Sequence, residues 1–172
     1  RALVKYLSLN LRKSSEIDFR SFDLIAIVDT QPWTGNNALP TDVEPDIVFD
    51  HHPCRKETKR CRFTDIRSTY GATVTILFEY LHTAGIEIDV PLATAILYAI
   101  RSDTQDLGRD TTRADLDVVM AVYPIANKRM LSEIQRGKVE RNYFQMLGNA
   151  LRNARVFGPA IVTGLGQVEN PD

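Results

Sequence analysis

The sequence predicts an α/β fold in which a parallel sheet is flanked by helices. Short, continuous apolar runs at 22–28 and 46–49 have the length and composition of buried strands. Longer segments elsewhere repeat apolar residues at helical spacing, and strands alternating with such helices favour a parallel sheet. Hydrophobic residues make up 44% of the chain and charged residues 25%, which is ordinary for a protein with a buried core.

The first part of the chain predicts one helix and two strands separated by loops. Residues 2–12 are amphipathic and predict a helix. The strands at 22–28 and 46–49 are separated by a loop at 30–45, where proline, glycine and asparagine are frequent. Residues 53–67 are polar and charged, and we expect a second loop there.

The remainder of the chain is predominantly helical. Apolar residues at i, i+3, i+4 and i+7 from Val74 indicate one face of a helix over 70–84, and Gly85 follows it as a stop signal. Asp89 is an N-cap for the next helix, with Pro91 in its first turn. Further helices are predicted at 113–122, 128–136 and 138–154, followed by a strand at 160–163.

Three consecutive parts are expected along the chain. They are a main domain at 1–136, a linking helix at 137–158, and residues 159–172, which would hold the first strand of an accessory domain. The chain opens inside an amphipathic pattern without a helix start signal, and its last strand-like run has nothing after it to pair with. We therefore expect an internal piece of a longer protein.

Charge and cysteine content exclude several classes of protein. A net charge of -1, from 21 basic and 22 acidic residues, leaves no general footprint for duplex DNA. The run Arg55–Arg62 holds five basic residues in eight, and it is either an anion-binding patch or a solvated loop. No apolar segment approaches the ~18–20 residues of a membrane span, and no secretory signal is visible. Two cysteines, Cys54 and Cys61, are too few for a disulfide framework, so a cytoplasmic setting is expected.

The most informative motif is Asp50-His51-His52-Pro53, which directly follows the second strand. Two adjacent histidines at a strand end contribute little to folding. Asp29 ends the first strand, and Asp103 follows the apolar stretch 93–100. Open α/β sheets bind ligands at the carboxyl ends of their strands, and carboxylates with imidazoles suit Mn, Zn, Fe or Mg. Each aspartate alone is more simply a cap or turn residue, but together these side chains predict a metal site.

Three segments resemble the second, third and fourth motifs of the DHH phosphoesterase superfamily. They are Val28-Asp29-Thr30, Asp50-His51-His52-Pro53 and Ile100-Arg101-Ser102-Asp103-Thr104. Tyr70–Thr75 resembles the helix start after the third motif. Leu107-Gly108-Arg109 is similar to the branch of oligoribonucleases, phosphoadenosine-phosphate phosphatases and exopolyphosphatase-related proteins. The resemblance covers roughly residues 20–170.

This resemblance implies a centre of two divalent ions, usually Mn²⁺, with Mg²⁺, Co²⁺ or Zn²⁺ as substitutes. Asp29 would bridge both ions, and His51 and Asp103 would ligate one of them. His52 would act in catalysis near the substrate phosphate, with Asp50 supporting the pair. The implied activity is hydrolysis of phosphoester or phosphoanhydride bonds in nucleotides, short single-stranded oligonucleotides or polyphosphate, and a homodimer is compatible with it.

The chain departs from the family pattern at its N-terminus. The first motif, a histidine followed by an Asp-x-Asp pair, has no counterpart before Asp29, where only Glu16, Asp18 and Asp23 are available. The glycine- and histidine-rich substrate segment of the accessory domain is also missing. We therefore expect these residues to hold about half of a catalytic centre and to be weakly active or inactive alone.

Candidate phosphate-binding groups near Asp103 are Arg101, Arg109 and Arg113, since guanidinium groups match phosphate oxygens. Solvent exposure or helix capping explains them equally well. Gly71 opens a helix whose N-terminus could face an anion, or it permits close packing. Trp33 either stacks on a base or anchors its loop.

Three other functions compete with the phosphoesterase interpretation. His51, His52, Cys54 and Cys61 have the residue types of a structural zinc site, although adjacent histidines bind one ion together with difficulty. A nucleotide-binding module that kept the fold without catalysis is a second alternative. The motif also resembles that of membrane palmitoyltransferases, which require several membrane spans and many more cysteines.

Overall fold

The larger sheet in the described residues is parallel, as the sequence predicts, and it has three strands. The computed structural model describes residues 2–136 and 141–165, which divide into two compact units at Gln135 and Arg136. In the first unit, β1 (Ala26–Val28), β2 (Ile47–Asp50) and β3 (Phe63–Ile66) lie in that order, with β2 in the centre. Ala26 pairs with Ile47, and Ile47 pairs with Phe63.

The two faces of the central strand are packed differently. Val48 and Asp50 point to one face and are 0% and 1% exposed. Phe49 points to the other face, where its ring lies 5.8 Å from the ring of Phe63 and 5.1 Å from that of Tyr80. This alternation is the period of two expected of a strand.

The helices of the first unit are α1 (Ala2–Tyr6), α2 (Thr73–Thr83), α3 (Val90–Asp103), α4 (Arg113–Val122) and α5 (Lys128–Arg136). Residues of α3, α4 and α5 form an apolar core, against which α2 packs. Leu97, Ile100 and Val122 are almost completely buried in this core, and Ile76 of α2 is buried as well.

Several predicted helix ends are confirmed. Asp89 caps α3 by accepting the Leu92 N–H at 2.9 Å, with proline in the first turn. Gly85, at φ +67°, ends α2, and the N–H of the following residue bonds back to Leu81 at 3.0 Å.

Two elements are shorter than the sequence predicts. The helix over 2–12 ends at Tyr6, because Ser8 is left-handed at φ +52° and the Leu9 N–H donates to the Val4 carbonyl at 3.0 Å. The left-handed Ser8 and this hydrogen bond are typical of a Schellman motif, which satisfies the last carbonyls of a helix. The strand over 22–28 is limited to β1, at its last three residues.

The prediction of a loop over 53–67 is wrong in its last part. That segment contains a 3₁₀ turn at Glu57–Arg60 and the whole of β3. The three strands also succeed one another without an α-helix between them, so the alternation of strands and helices expected from the sequence is not how this sheet is built. The helices follow the sheet instead.

The second unit consists of α6 (Arg141–Asn153) and an antiparallel pair, β4 (Arg155–Phe157) and β5 (Ala160–Val162). β4 lies within the segment 137–158 that was predicted as a linking helix, so the strand predicted at 160–163 is the second of its pair. The predicted helix start at 138 and residues 166–172 lie outside the described residues. None of the described helices is long and apolar enough to cross a membrane.

Candidate metal centre

Asp29, His51 and His52 come together at the carboxyl edge of the sheet. Asp29 follows β1 directly, and the two histidines follow β2. Because the strands are parallel and adjacent, their ends meet at one edge. One potential ligand atom from each of the three side chains lies within 4.8 Å of the others.

Asp29 is held by its backbone and by helix α2, yet it stays accessible. It adopts φ +59°, a conformation that aspartate tolerates better than most residues, and its N–H donates to the Phe49 carbonyl at 2.9 Å. Thr73 Oγ1 donates to Asp29 Oδ1 at 2.8 Å. The side chain is nevertheless 52% exposed, so one carboxylate oxygen is available to a ligand.

The hydrogen bonds of His51 fix which ring nitrogen can bind a metal. Its Nδ1 lies 3.2 Å from the Tyr70 carbonyl, which can only accept, so Nδ1 carries the proton. The lone pair is then on Nε2, which lies 3.6 Å from Asp29 Oδ1. A backbone carbonyl behind a ligating imidazole is a common way to fix this tautomer.

His52 is oriented by the buried carboxylate of Asp50. Its Nδ1 lies 2.8 Å from Asp50 Oδ1, which also accepts the His51 N–H at 2.9 Å. Burial raises the pKa of Asp50, but hydrogen bonds from His52 and Gln31 outweigh it and hold this pKa below its usual value. The same hydrogen bond, which His52 donates to Asp50, raises the pKa of His52 against the opposing effect of burial. Nε2 of His52 has no hydrogen-bond partner among the described residues.

Gln31 is a member of the site that sequence reasoning missed. Its side chain is 2% exposed and uses its full hydrogen-bonding capacity. Nε2 donates to Asp50 Oδ2 at 2.7 Å and to the Pro53 carbonyl at 3.1 Å. Oε1 accepts from Arg55 N and from Thr58 Oγ1, both at 2.8 Å. Gln31 therefore joins the Asp-His-His motif to the segment that follows it.

Asp103, the last residue of α3, lies outside the close group of three. It is half-buried, and both burial and the negative charge of Asp29 raise its pKa, while His51 and His52 lower it. These influences place Asp103 in the electrostatic surroundings of the cluster. Its predicted role as a ligand stays a prediction.

The arginines predicted to bind phosphate already have carboxylate partners. Arg101 pairs with Asp106. Arg109 Nε lies 3.2 Å from the carboxylate of the next residue, and Arg113 Nε lies 2.7 Å from Asp117 Oδ1 one helical turn along α4. The Arg113 side chain is 87% exposed. These contacts favour surface pairing, one of the two interpretations that the sequence left open.

Gly71 is closely packed rather than open to an anion. Its N–H donates to Asp115 Oδ2 at 2.9 Å, and a Cβ at this position would lie 2.6 Å from the same oxygen and 2.7 Å from the Asp110 carbonyl. Asp115 is 0% exposed and also accepts from Thr75 and Thr112. Only glycine permits this approach, so the close-packing interpretation is favoured.

A second network missed by sequence reasoning supports the carbonyl behind His51. Arg67 makes two parallel bonds to Asp65, at 2.8 and 2.7 Å, and also pairs with Glu79. The Tyr70 hydroxyl donates to Glu79 at 2.8 Å and accepts from Arg67 at 3.0 Å. Tyr70, whose carbonyl fixes the His51 tautomer, is therefore also held through its side chain.

The residues proposed for a zinc site do not converge. The group with metal-binding geometry in the described part of the chain joins the two histidines to Asp29 and includes neither cysteine. Cys54 is exposed and Cys61 is half-buried, and both are free thiols. Trp33 is half-buried with φ +59° in the loop after Asp29, and its buried indole N–H has no acceptor among the described residues.

Comparisons with known proteins support the fold. No family model matches the chain. It is 29% identical over 174 residues to the uncharacterized protein MJ1633 of Methanocaldococcus jannaschii, covering 100% of this chain and 35% of that protein. The chain thus spans about a third of this curated relative. A solved exopolyphosphatase-related protein from Bacteroides fragilis is similar in structure, with a TM-score of 0.55 and 18% identity over 64% of this chain and 33% of that one. The α/β architecture is therefore one that an exopolyphosphatase-related protein shares.

Proposed function

We propose that this protein is a divalent-metal-dependent phosphoesterase of the DHH type. The observation that carries the proposal is the convergence of Asp29, His51 and His52 at the sheet edge, with Nε2 of His51 3.6 Å from Asp29 Oδ1. One carboxylate and two imidazoles suit a borderline-to-hard divalent ion. The fold shared with an exopolyphosphatase-related protein supports the same class of reaction.

The proposed roles follow from how each side chain is held. Asp29 and His51 ligate the ion, and Asp103 completes the set from the end of α3. His52, held from behind by Asp50, presents Nε2 to the substrate phosphate. The bound ion would supply a Lewis acid for the phosphoryl oxygen and a hydroxide near neutral pH. Mn²⁺ is the proposed ion. A complete centre would hold two such ions, and Asp29 would be a ligand of both.

The proposed reaction is hydrolysis of a phosphoester or phosphoanhydride bond in nucleotides, short oligonucleotides or polyphosphate. A test compares a phosphomonoester, a phosphodiester and a phosphoanhydride, each with added Mn²⁺ and after chelation. It uses this chain and a polypeptide extended at its N-terminus, since the chain spans only about a third of its curated relative. We expect turnover of at least one substrate by the extended polypeptide, only in the presence of a divalent ion.

Asp29→Asn is the decisive variant, because it keeps the shape of the side chain and removes its charge. We expect it to abolish turnover while the unfolding temperature changes little, since Asp29 is half-exposed. Asp42→Asn is the matched control, as Asp42 is an exposed aspartate that pairs with Arg20 on the surface. Full activity after exhaustive chelation, or equal activity of the two variants, would refute the metal role. Nucleotide binding without turnover would indicate the inactive binding module.

A further inference from the structure

We propose that the segment Arg55–Arg62 binds a chain of phosphates that leads away from the metal centre. Its place as an extension of a catalytic site rests on the proposed function, whereas its capacity to bind such a chain does not. The ligand class is a polyanion with one phosphate per repeating unit.

The charge of this segment is exposed and largely unpaired. It holds five basic residues and one acidic one, and every basic side chain in it is exposed. Arg55 lies 3.8 Å from Glu57, while the other four have no carboxylate within ion-pair distance among the described residues. Arg101, Arg109 and Arg113 differ, because each has an aspartate partner. Free cations on one stretch of surface can accept phosphate without first breaking an ion pair.

The segment is attached to the metal centre by buried hydrogen bonds. Thr58, in its middle, is 0% exposed and donates to Gln31 Oε1, which also accepts the Arg55 N–H. Gln31 in turn donates to Asp50, the carboxylate that orients His52. The 3₁₀ turn at Glu57–Arg60 therefore presents its basic side chains from a fixed backbone, which lowers the entropy lost when a ligand binds.

The segment also has the length for more than one phosphate. It begins after Pro53, at the carboxyl edge of the sheet, and ends where Phe63 N bonds to the Asp46 carbonyl at the opposite edge. Between these edges lie the four residues of β2, or roughly 13 Å at the usual rise of a strand. A ligand that follows the segment from the metal centre is therefore a chain rather than a single phosphate.

Inorganic polyphosphate and a single-stranded oligonucleotide share this chemistry, and a binding assay can distinguish them. Binding of a labelled oligonucleotide of about ten residues is measured by fluorescence anisotropy in chelator, so that no turnover is needed. Unlabelled polyphosphate and unlabelled oligonucleotide then compete with the labelled ligand at equal phosphate concentration. The stronger competitor identifies which of the two ligands the segment prefers. A dinucleotide and orthophosphate serve as short ligands.

Lys56→Gln, Lys59→Gln and Arg62→Gln together form the test variant. The matched control replaces Lys5, Arg12 and Lys13, which are likewise two exposed lysines and one exposed arginine in the first unit. We expect the test variant to weaken binding of the long chain about tenfold at low salt, and to reduce the slope of log K against log salt by about 2. The control should stay within about twofold of the unmodified protein.

Equal weakening in both variants, or long chains that bind no better than orthophosphate, would overturn the proposal. Both variants are first compared by thermal unfolding, and Lys56→Gln alone is used if the triple variant is unstable. A different result would refute the proposed function alone. In that case the extended polypeptide would not turn over a small phosphodiester, but binding of the long chain would still depend on the segment. If turnover is retained but binding of the long phosphate chain does not depend on the segment Arg55–Arg62, this inference alone is refuted.

Discussion

Two histidines that are adjacent in sequence are presented in different ways at the site. His51 is fixed by a backbone carbonyl and is largely buried, with 18% of its side chain exposed. His52 is fixed by a carboxylate and is 57% exposed. Carboxylates and carbonyls both support ligating imidazoles, so the difference in exposure separates the two roles. The less exposed His51 suits ligation, and the more exposed His52 suits contact with a substrate.

This difference predicts separate effects of replacing each histidine with alanine. His51→Ala should weaken Mn²⁺ binding by more than about 100-fold, because a ligand is lost. His52→Ala should weaken Mn²⁺ binding less than about tenfold while strongly reducing turnover. Calorimetric titration of both variants, with turnover measured in parallel, checks this division. Equal loss of metal from the two would contradict it.

At this scale, the sequence predicts side chains better than it predicts their supports. Asp29 and His51 could be recognised because they stand at the ends of apolar runs in residue types that ligate metals. Gln31 carries no such signal, since an amide three residues beyond a strand is ordinary in a loop. The sequence indicates no separate role for Tyr70, because this residue acts on His51 through its backbone carbonyl, a group that every residue possesses.

Among the elements, α2 and α4 are joined through one buried carboxylate. Asp115, in the first turn of α4, accepts from Thr75 within α2 and from Gly71 just before it. It also completes a capping box with Thr112 at the start of its own helix. Burial raises the pKa of Asp115, but hydrogen bonds from Thr112, Thr75 and Gly71 outweigh it and hold the pKa below its usual value.

The lowered pKa sets the sign of a pH-dependent stability. A carboxyl group with a lower pKa in the folded state stabilises the fold above its unfolded pKa, near 3.8, and this contribution is lost as pH falls through the folded value. Asp115→Asn should therefore reduce the free energy of unfolding at pH 7 by about 2 kcal/mol or more, because an amide nitrogen cannot accept these bonds. Urea unfolding at neutral pH and at about pH 3 should show this difference shrinking in acid. A difference that grows in acid would contradict the assignment.

At the scale of elements, the helices after the sheet were predicted well, whereas the parallel sheet was predicted without its third strand. Helices such as α4 have a periodic pattern and explicit caps, so their bounds can be predicted from residues alone. β3 was missed because its alternation is short and one of its four residues is charged, Asp65, whose partner Arg67 lies just beyond the strand. Only the pairing with β2 and the bidentate ion pair make that charge compatible with a strand.

Over the whole molecule, the candidate centre is assembled from segments distant in sequence. Its closest groups follow β1 and β2, and Thr73, which bonds to Asp29, comes from α2. These groups meet only in the folded chain, so an ion that binds them stabilises the native state. The effect grows with the ratio of free ion to the dissociation constant.

We expect residues 1–172 to bind about one Mn²⁺ weakly and to show little or no turnover alone. Free Mn²⁺ at about 100 times the dissociation constant should add about 2.7 kcal/mol of stability, which corresponds to a rise of about 5–10 °C in unfolding temperature. The Asp29→Asn variant should show no such rise. A second tight site with robust hydrolysis would mean that Glu16, Asp18 or Asp23 supplies ligands, and that the expectation of a missing first motif is wrong.

The hydrogen bond from Gly71 to Asp115 also limits how the site can fluctuate. The amide proton of Gly71 is bonded to the buried carboxylate of Asp115, so its exchange with solvent requires α4 to move away from the start of α2. The same opening would displace the neighbouring Tyr70 carbonyl and release His51 to the other tautomer. The hydrogen-exchange rate of the Gly71 amide thus measures how often the candidate centre opens while the sheet remains folded.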